Sequence, residues 1–194
     1  AFELTDPSLS LGLGAIIGAI VTGIVAILLP YINYNKEVIA DRRSRRLRLL
    51  EEAMINFELH TEFLSKKLPI LYKYHIYLNL KDRDESELER RYISLENINK
   101  EQQNSEISLN KAVGRLDLLR CHKTAEMMRH MHIVIKLNID KIKDIESDNN
   151  KIENIYNTSK DLLKKQRREI LVSLGKLYSS DTLIEPESHP SKMI

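Results

Sequence analysis

The chain has 194 residues, of which 42 % are hydrophobic and 30 % charged, with a net charge of +2 and a single cysteine, Cys121. One cysteine excludes an intramolecular disulfide framework and suits a reducing compartment. Six glycines, five prolines and no tryptophan, with a mean hydropathy of −0.34, point to a polar helical chain rather than a β-rich one. The charge is unevenly placed: residues 1–35 carry only Glu3 and Asp6, residues 36–48 sum to +4, and the remainder sums to zero. The basic charge is therefore a local collar, which argues against a general nucleic-acid footprint.

Residues 1–8 are too short to fold alone, and Asp6-Pro7-Ser8 reads as a helix start, with Asp6 as cap and Pro7 in the first turn. Acidic Glu3 and Asp6 do not fit the basic beginning of a cleavable signal peptide. From Leu9 to Leu29 come 21 residues without a charge, with Ser10 and Thr22 the only polar side chains. As a helix this run spans about 31 Å, close to the ~30 Å hydrocarbon core of a bilayer. A transmembrane helix is expected over 9–32, ending at Pro30 and the interfacial Tyr31 and Tyr34.

At 100° per residue, Gly14, Gly18, Thr22 and Ala26 share one side of this helix. A small-residue face lets helix backbones approach closely in lipid, so these four are the candidate span–span contact. The juxtamembrane collar over 33–48 contains Arg42, Arg43, Arg45, Arg46 and Arg48. Arginines behind the span and acids before it predict an N-terminus outside and a cytoplasmic C-terminal domain, in a plasma (inner) membrane. The same arginines are the candidate contacts to anionic lipid, worth about 1 kcal/mol each near the surface.

Over 49–178 the sequence predicts an all-α bundle or coiled coil. Leu47, Leu50, Met54, Phe57, Thr61, Leu64 and Leu68 alternate three and four apart, a heptad seam that Pro69 is expected to kink. Tyr72, Tyr74 and Tyr77 follow, as packing residues or as an aromatic partner surface. Residues 81–85 read as a charged turn with Asp84 or Ser86 as the next cap. The stretch 86–122 is one helix, or two broken near Asn104. A second seam is expected to run unbroken through Met128, Met131, Ile135, Asn138, Ile142, Ile145, Asn149, Ile152 and Tyr156. Asn157-Thr-Ser is expected to cap a last helix, and 179–194 reads as a tail without a core. Leu47, Leu50, Met54, Phe57, Leu64, Met128, Met131 and Ile135 are the candidate oligomer or partner seam.

The residue types needed for metal binding gather only around Cys121, His122, His130, His132 and the neighbouring methionines. His130 and His132 lie about 200° apart on a helix and cannot share an ion, so no metal or cofactor is expected. Gly114 and Gly175 stand alone, without a phosphate loop, and no catalytic motif is legible. The expectation is a non-enzyme: a single-pass, membrane-anchored scaffold or adaptor that self-associates and recruits a second protein, with no nucleic acid and no small-molecule substrate. The alternative is an oligomeric pore gated by the cytoplasmic domain, which the lack of ionisable residues in the span disfavours.

Overall fold

The computed structural model describes residues 7–180, with side chains from Thr22 onward except those of Gly23 and Ile27. All elements are α-helices: α1 (Pro7–Leu78), α2 (Glu85–Lys100), α3 (Gln102–Leu118), α4 (His122–Lys143) and α5 (Asn149–Ser179). The chain divides into two compact units, Ala1–Arg46 and Leu47–Ile194, and α1 contributes to both. Among the described residues no helix is long and apolar enough to cross a membrane. The side chains of Gly14 and Gly18, and most of the run on which the transmembrane expectation rests, lie outside the described residues. So do residues 181–194, most of the expected tail.

In the first unit the described apolar side chains are bare. Ile24 is 50 % exposed, Leu28 48 % and Leu29 55 %. Thr22 and Ala26, from the expected small-residue face, are also exposed.

The second unit is an up-down-up-down bundle whose columns are α1 from Leu47, α2 with α3, α4, and α5. Glu52 pairs with Arg115, His60 with Ser105 and Lys67 with Gln102, so α1 and α3 run in opposite directions. Glu51 meets Tyr178, Glu58 meets Arg167 and Tyr72 stacks on Tyr156 at 4.3 Å, so α5 is also antiparallel to α1. Thr124 bonds Ser173 at 2.7 Å where α4 passes α5. Leu50, Ala53, Phe57, Thr61, Leu64, Leu68 and Leu71 recur at three- and four-residue steps and put one stripe of α1 into the core. Met128, Met131, Ile135, Ile139 and Ile142 do the same for α4. Each such side chain contributes about 1.5–3 kcal/mol by leaving water.

Several boundaries differ from the sequence expectation. The second heptad seam does not run unbroken: α4 ends at Lys143, residues 144–148 turn, and α5 starts at Asn149. The Asp148 side chain accepts from Lys151 N at 2.9 Å, and Ser147 takes φ 66°, so the local polar residues favour a capped turn over helix. Ile142 and Ile152 keep their apolar spacing because both helices face the same core, and periodicity alone could not register the reversal. Asn157-Thr-Ser does not start a helix; α5 runs through it, and Ser159 Oγ donates to Ile155 O at 2.7 Å inside the helix. The break in 86–122 falls at Glu101, whose N–H reaches Ile98 O in one tightened turn. Helix α1 continues through Pro69 to Leu78.

Asp84 is the cap of α2, accepting from Ser86 N at 2.9 Å. The tyrosines pack around this turn. Tyr77 Oη accepts from Asp84 N, Arg91 lies 4.7 Å over the Tyr77 ring, and Tyr74 meets Tyr92.

Candidate functional site

The bundle interior is mostly apolar, and at one level α1, α3 and α4 bring His60, Ser105 and His132 together. His60 is 1 % exposed and Ser105 6 %. His60 Nδ1 lies 3.1 Å from Ser105 O and 2.7 Å from Ser105 Oγ, and its Nε2 lies 3.2 Å from His132 Nδ1. A carbonyl oxygen can only accept, so His60 carries its proton on Nδ1 and donates to Ser105. His60 Nε2 is then the acceptor, and His132 Nδ1–H donates to it. The chain of bonds is satisfied with both imidazoles neutral.

Electrostatics hold them so. Burial, and then the neighbouring His132, push the His60 pKa down to about 4, against smaller opposing effects of Ser105 O and Glu106. His132 is likewise shifted down, by burial and by Lys136. A proton on either ring would leave water and face a second imidazole.

Beside this pair runs a second polar chain. Lys67, 3 % exposed, donates from Nζ to Gln102 Oε1 at 2.6 Å, and Gln102 Nε2 donates to Glu106 Oε1 at 3.0 Å. Burial and Lys143 lower the Lys67 pKa, while Asp140 and Glu106 oppose the shift. The space between these groups is about 40 Å³, room for about one water. Ser105 Oγ is therefore paired with a histidine but has no substrate-sized space beside it. Among the described residues no group of three or more His, Cys, Asp or Glu side chains could hold a metal ion. The arrangement offers a hydrogen-bonded polar layer at the level where α1, α3 and α4 meet.

The residues expected as an oligomer or partner seam separate into two groups. Leu50, Phe57, Leu64, Met128, Met131 and Ile135 are each under 4 % exposed, inside the chain's own core. Two helices of one chain satisfy a heptad stripe as well as two chains do, and the sequence could not distinguish them. Leu47 is half-buried, and Met54, 42 % exposed, is the one member that faces out fully. Of the expected lipid contacts, Arg42, Arg43, Arg45 and Arg48 are exposed, with Arg45 paired to Asp41 at 3.0 Å, whereas Arg46 is buried.

Sequence reasoning missed the His60–Ser105–His132 layer. His60 sits between Phe57 and Leu64 on the inward stripe of α1, and that placement was the available signal. It also missed an open groove of about 570 Å³ between α1 and α5, lined by Met54, Ile55, Glu58, Leu59, Glu62 and Arg167 among others. Comparison of the chain with protein-family models, with curated proteins and with solved structures finds no match.

Proposed function

We propose that this chain is a single-pass, membrane-anchored scaffold: the Leu9–Leu29 run spans the bilayer, and the helical bundle recruits a protein partner on the cytoplasmic side. One observation carries the reading. The 21-residue run has no charge, and its described side chains Ile24, Val25, Leu28 and Leu29 stay about half exposed among the described residues. Apolar surface of that length needs lipid or protein around it. The arginines that follow set the orientation, with the N-terminus outside, and contact anionic lipid headgroups. The Gly14, Gly18, Thr22 and Ala26 face packs copies together, and anchoring raises local concentration so that weak bundle contacts become effective. In this reading the bundle acts by binding rather than by catalysis, without cofactor, nucleic acid or small-molecule substrate.

Vesicle flotation, followed by mass measurement of the full chain in nanodiscs, tests this for wild type and Gly14→Ile/Gly18→Ile. The expected result is flotation and a homo-oligomer that dissociates at least about tenfold more readily in the double variant. Two or three copies fit a scaffold, whereas five or more would replace that reading with a pore. A chain that does not float, or is monomeric in both forms, overturns the proposal.

A further inference from the structure

The groove between α1 and α5 has an uncommon composition for a surface. On α1, Ile55, Leu59 and Glu62 follow one another at four- and three-residue steps and share a stripe. Ile55 is 58 % exposed and Leu59 51 %. On α5 only Arg167 lines the groove; on the exposed face beside it Lys164, Arg168 and Val172 recur every four residues, with Val172 51 % exposed and Leu171 half-buried. Each helix thus offers an apolar patch next to charge, acidic on α1 and basic on α5. Among the described residues Arg167 is held by Glu58, but neither Lys164 nor Arg168 forms an ion pair. Glu62 has only a surface pair with Lys66, both more than half exposed.

The levels of these groups match. The contacts Glu58–Arg167 and Glu51–Tyr178 fix the antiparallel register of α1 and α5. They put Ile55 level with Leu171 and Val172, and Glu62 level with Lys164. A two-fold axis along the bundle sets α1 of one copy against α5 of another at the same level. Apolar then meets apolar and acid meets base, twice over, which is the self-complementarity a closed dimer requires.

We propose that a second copy of this chain docks on the α1/α5 groove about an axis parallel to the bundle. Ile55 meets Leu171 and Val172 of the second copy, Leu59 lies on the methylene stems of its Lys164 and Arg168, and Glu62 faces their charges. The proposal rests on the anchored reading in one respect: N-terminal spans in one membrane hold two copies close enough for a shallow contact to form.

Charge reversal in the full chain tests it. The first variant is Glu62→Lys and the second is Lys164→Glu/Arg168→Glu, all at exposed positions, with circular dichroism and urea midpoints checking that each folds. Isotopically heavy and light chains, each carrying a photoreactive diazirine residue in place of Val172, are mixed in nanodiscs and irradiated. Mixed-isotope peptides joining the segment around residue 172 to that around 55 then arise only between copies. Wild type should give them, each variant alone should lose them by about tenfold or more through like-charge contact, and the two variants mixed together should regain them. Absence of these peptides in wild type, full retention in either variant alone, or no recovery on mixing overturns the proposal. Flotation of the same samples separates the two readings: chains that float without cross-linking sink the docking face alone, and chains that cross-link without floating sink the anchor alone.

Discussion

Helix α1 carries two kinds of apolar surface along one backbone. Around Leu28 the side chains keep about half their surface exposed, while Leu50, Phe57, Leu64 and Leu71 keep 3 % or less. Both stretches offer large apolar side chains on the same α-helix. The difference lies in what the rest of the chain offers: from Leu47 onward α3, α4 and α5 present matching stripes, and before Arg46 no described element does. Side-chain type alone therefore does not make a core; a core requires a second surface at the right spacing. Uncovered apolar side chains in a long uncharged run are the physical reason for proposing lipid around it.

The comparison breaks most visibly under truncation. Phe57→Ala should lower bundle stability by about 3–5 kcal/mol, because a fully buried ring leaves a cavity. Leu28→Ala in the bare stretch should move the same urea unfolding midpoint by less than about 0.5 kcal/mol. Equal losses would show that the two stretches share a packed environment after all.

Acid sharpens the contrast inside the bundle between its apolar levels and its histidine level. His60 has a folded pKa near 4, against 6.5 for the unprotected group, so the folded state favours the neutral ring. Between those values the unfolded chain binds more protons, and stability falls as pH falls. The His60 contribution is present above pH 6.5 and is lost as pH drops through about 4, a change of about 3 kcal/mol from a shift worth 1.36 kcal/mol per unit. Urea midpoints at pH 7, 5.5 and 4.5 should show this slope in wild type and a clearly flatter one in His60→Gln. An identical slope in the variant would move the acid sensitivity to other groups.

The smallest expected effect lies at the turn between α3 and α4. Arg120 takes φ 59° where helices usually place glycine, and Cys121 N donates to Leu116 O at 2.8 Å, closing the helix end. Arg120→Gly removes the steric cost of that conformation and should stabilise the bundle by about 0.5–1 kcal/mol in the same unfolding measurement. A destabilised variant would mean that the arginine side chain contributes more than its backbone costs.

Much of this architecture is legible in particular residues. The three- and four-residue recurrence from Leu50 to Leu68 states that α1 has a buried stripe, and Asp84 before Ser86 marks a helix start that the hydrogen bond realises. The turn at 144–148 was not legible, because Ile142 and Ile152 keep a common period while the chain reverses between them. Its chemical signal was the run Ser147-Asp148-Asn149-Asn150, whose side chains compete with helix for backbone donors. The candidate sites were less readable. His60, Ser105 and His132 are far apart in sequence and meet only because α1, α3 and α4 cross at one level.

The sequence by itself determined the helical class, the apolar run with its basic flank and the inward stripes, because period and charge are properties of consecutive residues. Only the tertiary structure decided that Met128, Met131 and Ile135 face their own chain, and that the histidines form a hydrogen-bonded polar layer. It alone set Ile55 and Glu62 level with Val172 and Lys164. Those are relations between distant segments, fixed by the register in which antiparallel helices pack, and no local pattern encodes that register.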